Sequence, residues 1–427
     1  MSLAKSGYRE RIIDQQLAKY LNTFGAVCIE GPKWCGKTWT ALNQSNSVYY
    51  VANPENNFQN RSLAQLSPDL VLSGESPRLL DEWQEVPALW DAVRFAVDQS
   101  QKRGQYILTG SATSIRKDII HSGTGRIARL LMRPMSLYES GESNGSISLQ
   151  SLFSAPLLPV RAKEISLRSL IALTVRGGWP GSLGLDEEYA AAVPREYLKN
   201  LLEDDVRRMD GKDRDIRKMT LLLRSLARNE STVVANRTLQ RDMLEKDNEP
   251  IDDKTVSDYL NVLSRLFILE DQRAFIPNLR SSIRVGKSVK RHFTDPSLAA
   301  AALGATTDRL VNDLNTYGFL FEAMCVRDLR IYADVFGAQL FHYRDDYGRE
   351  IDAVLEWPDG RWGAFEIKIG ANQVDAAAQN LLSIRKLMTE DHRAKPPELL
   401  GVICGLGNAG YTRADGVLVI PITALKP

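Results

Sequence analysis

Apolar residues in the first third of the chain alternate between short continuous runs and stretches with helical spacing. Leu89, Val93 and Val97 recur on one side of a helical pattern over residues 87–99. Such an alternation of strands and helices predicts an α/β domain with a parallel sheet covered on both faces. The predicted strands are residues 26–30, 47–51, 78–81, 106–109 and 127–132.

The pattern changes twice further along the chain. Residues 139–159 are rich in Ser, Gly and Pro and predict a linker. The pattern is then mostly helical to about residue 303, with a turn-rich elbow at residues 177–181. From about residue 307 it predicts a helix, three strands, a helix and more strands, which is a second α/β unit. The predicted domains are residues 1–145, 146–305 and 306–427.

The middle segment carries the pattern of a winged helix-turn-helix. Three helices, at residues 221–227, 238–244 and 254–266, precede a strand at residues 267–270. A recognition helix in this position would offer DNA the side chains at its start, which are Thr255, Ser257 and Asp258.

A basic stretch follows that predicted strand. Residues 280–292 contain no acidic residue, which suggests contact with phosphates. The alternative is a helical module that packs against protein, with a solvated basic loop. The basic residues of the stretch are Arg280, Arg284, Lys287, Lys290 and Arg291.

Composition and charge narrow the possible classes of protein only slightly. Of 427 residues, 44% are hydrophobic and 25% charged, as in ordinary globular proteins of several domains. The net charge of +1 leaves nucleic-acid contact to local patches. Four scattered cysteines and the lack of an apolar signal core predict a cytoplasmic protein. No run approaches ~18 apolar residues, so no membrane-spanning helix is expected.

The first predicted strand leads into a phosphate-binding loop of the pattern G-x-x-x-x-G-K-[ST]. Glycines let the backbone N–H groups converge on phosphate oxygens, and the following helix adds a partial positive charge. We expect Lys37 to bridge the β- and γ-phosphates of ATP, and the Thr38 hydroxyl to bind Mg²⁺. The loop residues are Gly31, Pro32, Lys33, Trp34, Cys35, Gly36, Lys37 and Thr38.

ATP hydrolysis also needs carboxylates beside the loop. Asp81 and Glu82 follow the third predicted strand. Asp81 is the expected Mg²⁺ ligand, and Glu82 is the expected base that activates the attacking water. Thr109 or Ser111, at the end of the fourth strand, could contact the γ-phosphate.

Three arginines follow the predicted phosphate sensors. Arg126, Arg129 and Arg133 are candidates for an arginine finger, acting in the same chain or on a neighbouring copy. Solvated surface arginines are the alternative. Of the three, Arg126 is the expected contact to nucleotide.

The C-terminal segment places carboxylates and a lysine on neighbouring strands. A period of two puts Glu366 and Lys368 on one face of a strand, with Asp352 on the strand beside it. Glu322, on the preceding helix, could complete a Mg²⁺ site with Asp352 and Glu366. This constellation resembles metal-dependent nucleases of the PD-(D/E)XK type, in which the lysine polarises the water and both carboxylates and lysine are catalytic.

The chain as a whole resembles a prokaryotic group of the AAA+ superfamily. In that group an ATPase is fused to a C-terminal domain of unknown function with a restriction-endonuclease-like core. The resemblance implies a P-loop ATPase domain that binds and hydrolyses ATP, but it supplies no substrate. It covers nearly the whole chain and rests on residues 24–38, 80–84, 108–111 and 125–126.

Three hypotheses remain open from the sequence. In the first, the ATPase is coupled to a nuclease-like domain that handles nucleic acid, with DNA as the partner. In the second, ATP switches a protein-binding module whose nuclease-like domain is inactive and serves for docking, in a homo-oligomer or with another protein. In the third, the same loop belongs to a phosphotransferase, which would pass phosphate to a small acceptor.

Overall fold

In the computed structural model, the N-terminal part of the chain forms a five-stranded sheet in which all strand pairs are parallel. This confirms the predicted parallel sheet. The strands are β1 (Ala26–Glu30), β2 (Ser47–Tyr50), β3 (Arg78–Asp81), β4 (Tyr106–Gly110) and β5 (Ile127–Leu131), in the order β2-β3-β4-β1-β5. The structure describes residues 3–111, 121–154, 156–209, 211–247, 251–276, 289–345, 347–390 and 395–427.

Helices cover both faces of this sheet because successive side chains of a strand point to opposite sides. Ala26 and Cys28 of β1 pack into one apolar layer with Trp90, whereas Val27 and Ile29 pack into the other. The parallel strands bring the carboxyl ends of β1, β3 and β4 to one edge, where ligands bind in open α/β sheets. The helices are α1 (Ile13–Leu21), α2 (Lys37–Asn43), α3 (Glu55–Leu66), α4 (Pro68–Leu72) and α5 (Ala88–Ser100).

The middle segment is mostly helical, as predicted, with short strands at both ends. A π-helical turn, Leu201–Asp205, joins its second and third helices. The helices are α6 (Leu167–Arg176), α7 (Glu187–Asn200), α8 (Val206–Arg208), α9 (Ile216–Arg228), α10 (Asn236–Asp247), α11 (Asp253–Arg265) and α12 (Pro296–Leu303). The strands are β6 (Ile147–Ser148), β7 (Val160–Arg161), β8 (Leu269–Ala274) and β9 (Lys290–Phe293).

The C-terminal segment contributes most of a nine-stranded mixed sheet, in the order β7-β14-β15-β13-β12-β11-β10-β8-β9. Its strands are β10 (Gln339–Arg344), β11 (Glu350–Glu356), β12 (Trp362–Lys368), β13 (Leu399–Cys404), β14 (Ala409–Thr412), β15 (Leu418–Pro421) and β16 (Leu425–Lys426), the last of which pairs with β6. Its helices are α13 (Thr307–Val311), α14 (Leu314–Phe336) and α15 (Val374–Glu390).

The middle and C-terminal segments share this sheet and one apolar core. Strand β8 pairs with β10, and β7 pairs with β14. Leu222 and Val256 of the middle helices belong to the same buried cluster as Phe365 and Ile420 of the C-terminal strands. The two segments are therefore packed as one unit, which the change of pattern near residue 305 did not reveal.

The elements of the predicted winged helix occur in the expected order. Helices α9, α10 and α11 are followed by the antiparallel pair β8 and β9. Strand β8 starts two residues later than predicted because Phe267 adopts a left-handed φ of 58°, which turns the chain after α11. The pair β8 and β9 continues the large sheet through β10 and does not project as a separate hairpin.

No helix in the part of the chain that the structure describes is long and apolar enough to cross a membrane.

Candidate functional site

The phosphate loop lies at the carboxyl end of β1, between that strand and α2. Gly31 and Gly36 have φ values of 153° and 105°, in the region that favours glycine. A Cβ at Gly31 would lie 2.1 Å from the carbonyl oxygen of Met132, directly after β5. The loop therefore passes so close to the neighbouring chain that only glycine fits at its first position.

Replacing this glycine should damage the loop. We expect Gly31→Ala to push the loop away from Met132 and to weaken ATP binding by at least about tenfold, since strain at such a position costs on the order of 1–3 kcal/mol. Calorimetric titration with ATP would measure the effect. Gly318→Ala is the matched control, because Gly318 lies in α14 with nothing within 4 Å of the added Cβ. Unchanged ATP affinity in Gly31→Ala would contradict the role given to the loop.

The two loop residues with assigned chemistry are held in place. Lys37 is 6% exposed, and its Nζ donates hydrogen bonds to the carbonyl oxygens of Gly31 (3.0 Å) and Pro32 (2.7 Å). The Thr38 hydroxyl donates to Oδ1 of Asp81 at 2.8 Å, and the Thr109 hydroxyl donates to the same oxygen at 2.6 Å. Three strands thus bring the lysine, two hydroxyls and a carboxylate together.

Glu82 lies beside this cluster in a strained conformation. Its φ of 57° and ψ of 45° are left-handed, which is costly for a residue with a side chain and is typical of functional sites. Ser111 Oγ donates to Glu82 Oε2 at 3.2 Å, and Gln84 Nε2 donates to the same oxygen. The Glu82 amide donates to Thr109 Oγ1 at 3.3 Å. These contacts hold the carboxylate of Glu82 beside the end of β4.

A cavity of about 1390 Å³ opens over these residues. Lys37, Thr38 and Glu82 line one side, and the middle segment lines the other. The hydroxyl of Thr38 and the carboxylate of Asp81 are hard oxygen donors of the kind that Mg²⁺ binds together with substrate phosphates. The residues therefore fit a nucleotide with its magnesium ion.

The remaining loop positions differ in their exposure. Trp34 is 62% exposed and lines the cavity together with Lys33 and Gly36. Gly31, Pro32 and Cys35 do not line it. Cys35 is fully buried, with Sγ 3.5 Å from the Met132 carbonyl, so its side chain fills space behind the loop.

The structure does not bring Arg126 to the nucleotide cavity of its own chain. The Ala26 amide donates to the Arg126 carbonyl at the amino end of β1, which is the edge of the sheet opposite the loop. The guanidinium of Arg126 pairs with Asp98 at 2.7 Å. Arg126 directly precedes β5, so a parallel sheet places it at the edge opposite the loop, and its contact with the nucleotide of a neighbouring copy stays a prediction.

The other two arginines are also engaged. Arg129 pairs with Glu30 at 2.6 Å and stacks on Trp90, with 4.6 Å between the guanidinium carbon and the ring centroid. Arg133 is 9% exposed and pairs with Glu270 of β8 and Asp334 of α14 at 2.5 and 2.6 Å. Arg133 therefore joins the N-terminal sheet to the unit that carries the large sheet.

In the C-terminal sheet, the predicted carboxylates and lysine converge on one side. Lys368 Nζ lies 2.7 Å from Glu366 Oε2 and 3.2 Å from Asp352 Oδ2. The Ile367 amide donates to Asp352 Oδ2 at 2.8 Å, and Asn380 of α15 donates to Glu366 Oε1 at 2.8 Å. Adjacent strands thus place both carboxylates around a single ammonium group.

Glu322 is held by a lysine that the sequence assigned elsewhere. Lys290 of β9 is 3% exposed and pairs with Glu322 Oε1 at 2.8 Å. Lys290 is therefore not part of a phosphate-contacting surface, because its side chain points from β9 towards Glu322 of α14. Arg291 donates to the Val234 carbonyl, whereas Arg280, Arg284 and Lys287 lie outside the described residues.

Burial shifts the titration of two of these carboxyls. Burial, followed by the charge of Asp352, raises the pKa of Glu366 to about 7, although Lys368 opposes the shift. Burial and then the same carboxylate raise the pKa of Glu322 to about 8, against the charge of Lys290. The cluster thus concentrates negative charge that two lysines partly neutralise.

The predicted three-carboxylate metal site is not formed in this arrangement. Among the described residues, no group of three or more His, Cys, Asp or Glu side chains is placed to hold a metal ion. Asp352 and Glu366 remain a fitting pair, because Mg²⁺ commonly takes one or two carboxylates together with water and substrate phosphate. Glu322 does not join them because Lys290 occupies its carboxylate.

The predicted recognition helix is only partly open to a partner. Ser257 is exposed, but the Asp258 carboxylate accepts a hydrogen bond from Arg214 Nε at 2.9 Å. Thr255 is half-buried, and its amide donates to Asp252 Oδ1 in the helix N-cap.

Sequence reasoning missed several residues that contact the sites. Tyr197 and Asp205 contact the phosphate loop from more than 160 positions away. Arg11 donates to the Cys35 carbonyl at 2.7 Å and to the Arg133 carbonyl at 2.9 Å. Asn380 contacts Glu366. No spacing rule connects such residues, although the elbow at residues 177–181 was a visible signal in the middle segment.

Three family models match successive parts of the chain. Residues 23–141 match an AAA domain. Residues 167–309 match a domain of unknown function (DUF8612), and residues 317–425 match another domain of unknown function (DUF4143). No curated protein matches the chain.

Solved structures show weak overall similarity. The Walker-type ATPase PABY2304 of Pyrococcus abyssi is 12% identical, with a TM-score of 0.42 and coverage of 70% of this chain and 97% of that one. The replication initiator DnaA bound to AMPPCP and single-stranded DNA is 13% identical, with a TM-score of 0.28 and coverage of 59% and 86%.

A signal-transduction ATPase with numerous domains from Pyrococcus horikoshii, PH0952, which has a tetratricopeptide repeat sensor, is 13% identical. Its TM-score is 0.22, with coverage of 77% of this chain and 48% of that one. All three TM-scores lie below 0.5, so these similarities establish neither the fold nor the role of this chain. The matched AAA domain and the loop geometry together support an AAA-type ATPase in the N-terminal part of the chain.

Proposed function

We propose that the chain is a Mg²⁺-dependent ATP hydrolase whose nucleotide state acts on a nuclease-like C-terminal domain that handles nucleic acid. The observation that carries the hydrolase is the meeting of the Thr38 and Thr109 hydroxyls on one oxygen of Asp81, with Glu82 beside them. A loop threonine, a strand-end aspartate and a residue that orients the attacking water are recurring parts of P-loop ATPases.

Each residue has a defined task in this proposal. Lys37 leaves the carbonyl oxygens of its own loop and neutralises charge on the β- and γ-phosphates. Thr38 and Asp81 would hold a magnesium ion, which would supply charge neutralisation at the phosphates. Glu82 accepts a proton from the attacking water, and Ser111 keeps the carboxylate of Glu82 in position. Arg133 provides a physical connection from this domain to the rest of the molecule.

For the C-terminal domain, the supporting observation is the single ammonium group that bridges two carboxylates. Asp352 and Glu366 would hold a divalent cation, which would supply charge neutralisation at a phosphate. Lys368 would then be available to polarise a water molecule. The proposed substrate is a nucleic-acid phosphodiester, with DNA as the first candidate.

Nuclease assays with a matched control test this assignment. We expect Asp352→Asn to lower Mg²⁺-dependent cleavage of DNA or RNA by at least about 100-fold while ATP hydrolysis is retained, because one of the two metal-binding carboxylates is lost. Asp359→Asn, in the exposed turn between β11 and β12, should cleave normally. If the unmodified protein hydrolyses ATP but cleaves no DNA or RNA offered, the nuclease assignment is wrong.

A second candidate function is favoured by the closed state of the cluster. Lys290 occupies Glu322, and Lys368 occupies the other two carboxylates, so the domain could serve as an ATP-switched docking surface for protein. Capture of a partner would then depend on Lys37 but not on Lys368. A pull-down that compares Lys37→Ala with Lys368→Ala separates the two functions, since a nuclease would need Lys368 for cleavage.

A further inference from the structure

The elbow at residues 177–181 fixes the middle segment against the ATPase domain. The Met135 amide donates to the Gly178 carbonyl at 2.6 Å, and a Cβ at Gly178 would lie 2.1 Å from the Met135 carbonyl oxygen. Trp179 is fully buried, and its Nε1 donates to Ser297 Oγ at 2.9 Å. The elbow therefore packs the helices that flank it, α6 and α7, against the residues that directly follow β5.

The contact with the phosphate loop is made by α7. The ring centroid of Tyr197 lies 4.9 Å from that of Trp179, so the elbow positions the tyrosine. The Tyr197 hydroxyl accepts a hydrogen bond from the Lys33 amide at 3.1 Å. A residue of the middle segment thus contacts the backbone of the loop itself.

A second contact involves charge. Lys33 Nζ lies 2.5 Å from Oδ1 of Asp205, the last residue of the π-helical turn after α7. The side chain of Asp205 is 12% exposed and that of Lys33 is 43% exposed. π-helical turns are rare and are frequently found at functional sites. Both residues also line the nucleotide cavity.

Two anions can compete for the Lys33 ammonium: the Asp205 carboxylate and a bound γ-phosphate. It belongs to the loop that curls around the phosphates, and it shares the cavity with Lys37 and Glu82. A γ-phosphate in that cavity would attract the Lys33 ammonium away from Asp205 by its own negative charge. ADP, which lacks this group, would leave the pair in place.

We infer that Lys33 and Asp205 form a γ-phosphate-sensitive contact between the ATPase domain and the middle segment. Asp205 acts as a positioning residue: it holds Lys33 when the γ-phosphate is absent, and ATP breaks the pair. The inference rests on the proposed ATP-binding function. It makes α7 and α8 the elements that register which nucleotide is bound.

The test compares ATP and ADP affinities by calorimetric titration of the full chain, with Mg²⁺ and a non-hydrolysable ATP analogue. We expect Asp205→Asn to bind the analogue roughly three- to fivefold more tightly, because a competing anion for Lys33 is gone, and to bind ADP as before. Combining it with Lys33→Met should remove the gain. Asp204→Asn, the exposed neighbour in the same turn, is the matched control.

Several outcomes separate this inference from the proposed function. If the unmodified protein binds neither nucleotide, the proposed function itself fails. If it binds both, but Asp205→Asn changes the two affinities equally or not at all, only the inference is overturned. Tyr197→Phe gives a second variant, since it keeps the ring packed against Trp179 and removes only the hydroxyl.

Hydrogen exchange offers an independent readout for the same contact. In the unmodified protein, the ATP analogue should speed exchange of the backbone amides in residues 201–208, and ADP should not. In Asp205→Asn the exchange should be fast in every nucleotide state. Equal exchange with ATP analogue and ADP in the unmodified protein would overturn the inference.

Discussion

Replacing Glu82 by Gln is expected to lower the turnover number for ATP hydrolysis by about 10²–10⁴-fold, the usual contribution of a general base. Gln cannot accept a proton from water, but it keeps the size of the side chain and its contacts with Ser111 and Gln84. ATP affinity should therefore stay within about twofold. Phosphate-release assays and calorimetry with ATP would measure both quantities on one preparation.

This result is specific because the turnover number falls while the affinity for ATP is retained. A structural role for Glu82 would lower affinity and folding stability along with turnover. Glu75→Gln, an exposed carboxyl of the same domain, should leave all three unchanged. If Glu82→Gln retains more than about a tenth of the normal turnover, another group removes the proton and the assignment of Glu82 is wrong.

The second large effect is expected on stability. Arg133→Met should destabilise the protein by about 3 kcal/mol, because it removes the buried arginine that pairs with Glu270 and Asp334 and leaves Glu270 with Arg330 alone. In thermal denaturation, the apparent midpoint should fall by roughly 10 °C. Arg129→Met is the matched control: its pair with Glu30 is partly exposed, so at most about 1 kcal/mol should be lost.

The pH dependence of stability provides a second test of the pair between Arg133 and Glu270. Burial alone would raise the pKa of Glu270, but the charges of Arg133 and then Arg330 hold it at about 2. Its value in the unfolded chain is about 4.3. The stabilisation is therefore present above about pH 4.3 and is lost as the pH falls towards 2. Arg133→Met should lose less stability across this range than the unmodified protein. Parallel pH curves would contradict the buried network.

The placement of the N-terminal motif residues could be predicted from the sequence because the motif and the topology reinforce each other. Gly31, Gly36 and Lys37 are fixed by the geometry of a phosphate loop. The strand order then brings Asp81 and Thr109 to the same edge. Short-range rules suffice when each functional residue lies at the end of a parallel strand.

Contacts between segments could not be predicted in this way. Arg133 was a candidate for contact with nucleotide, and its real partners, Glu270 and Asp334, are 137 and 201 positions away. Tyr197 and Lys33 likewise meet only because the elbow docks beside β5. Contacts between residues so far apart in sequence follow from tertiary packing, which the periodicity of a single segment does not reveal.

The C-terminal cluster falls between these cases. The alternation of strands correctly put Asp352, Glu366 and Lys368 on one side of the sheet. It could not show that β9 extends the same sheet and brings Lys290 to Glu322. One additional strand thus removes Glu322 from the predicted set of three carboxylates and leaves Asp352 and Glu366 as a pair.

The most direct test of the central claim is the product balance with ATP. The full chain with Mg²⁺ should release ADP and inorganic phosphate in equal amounts. The release should stop on chelation of the metal and should fall at least about 100-fold in Lys37→Ala. Phosphate that appears on an acceptor instead of in solution would indicate a phosphotransferase. Release that Lys37→Ala leaves unchanged would contradict ATP hydrolysis at this loop.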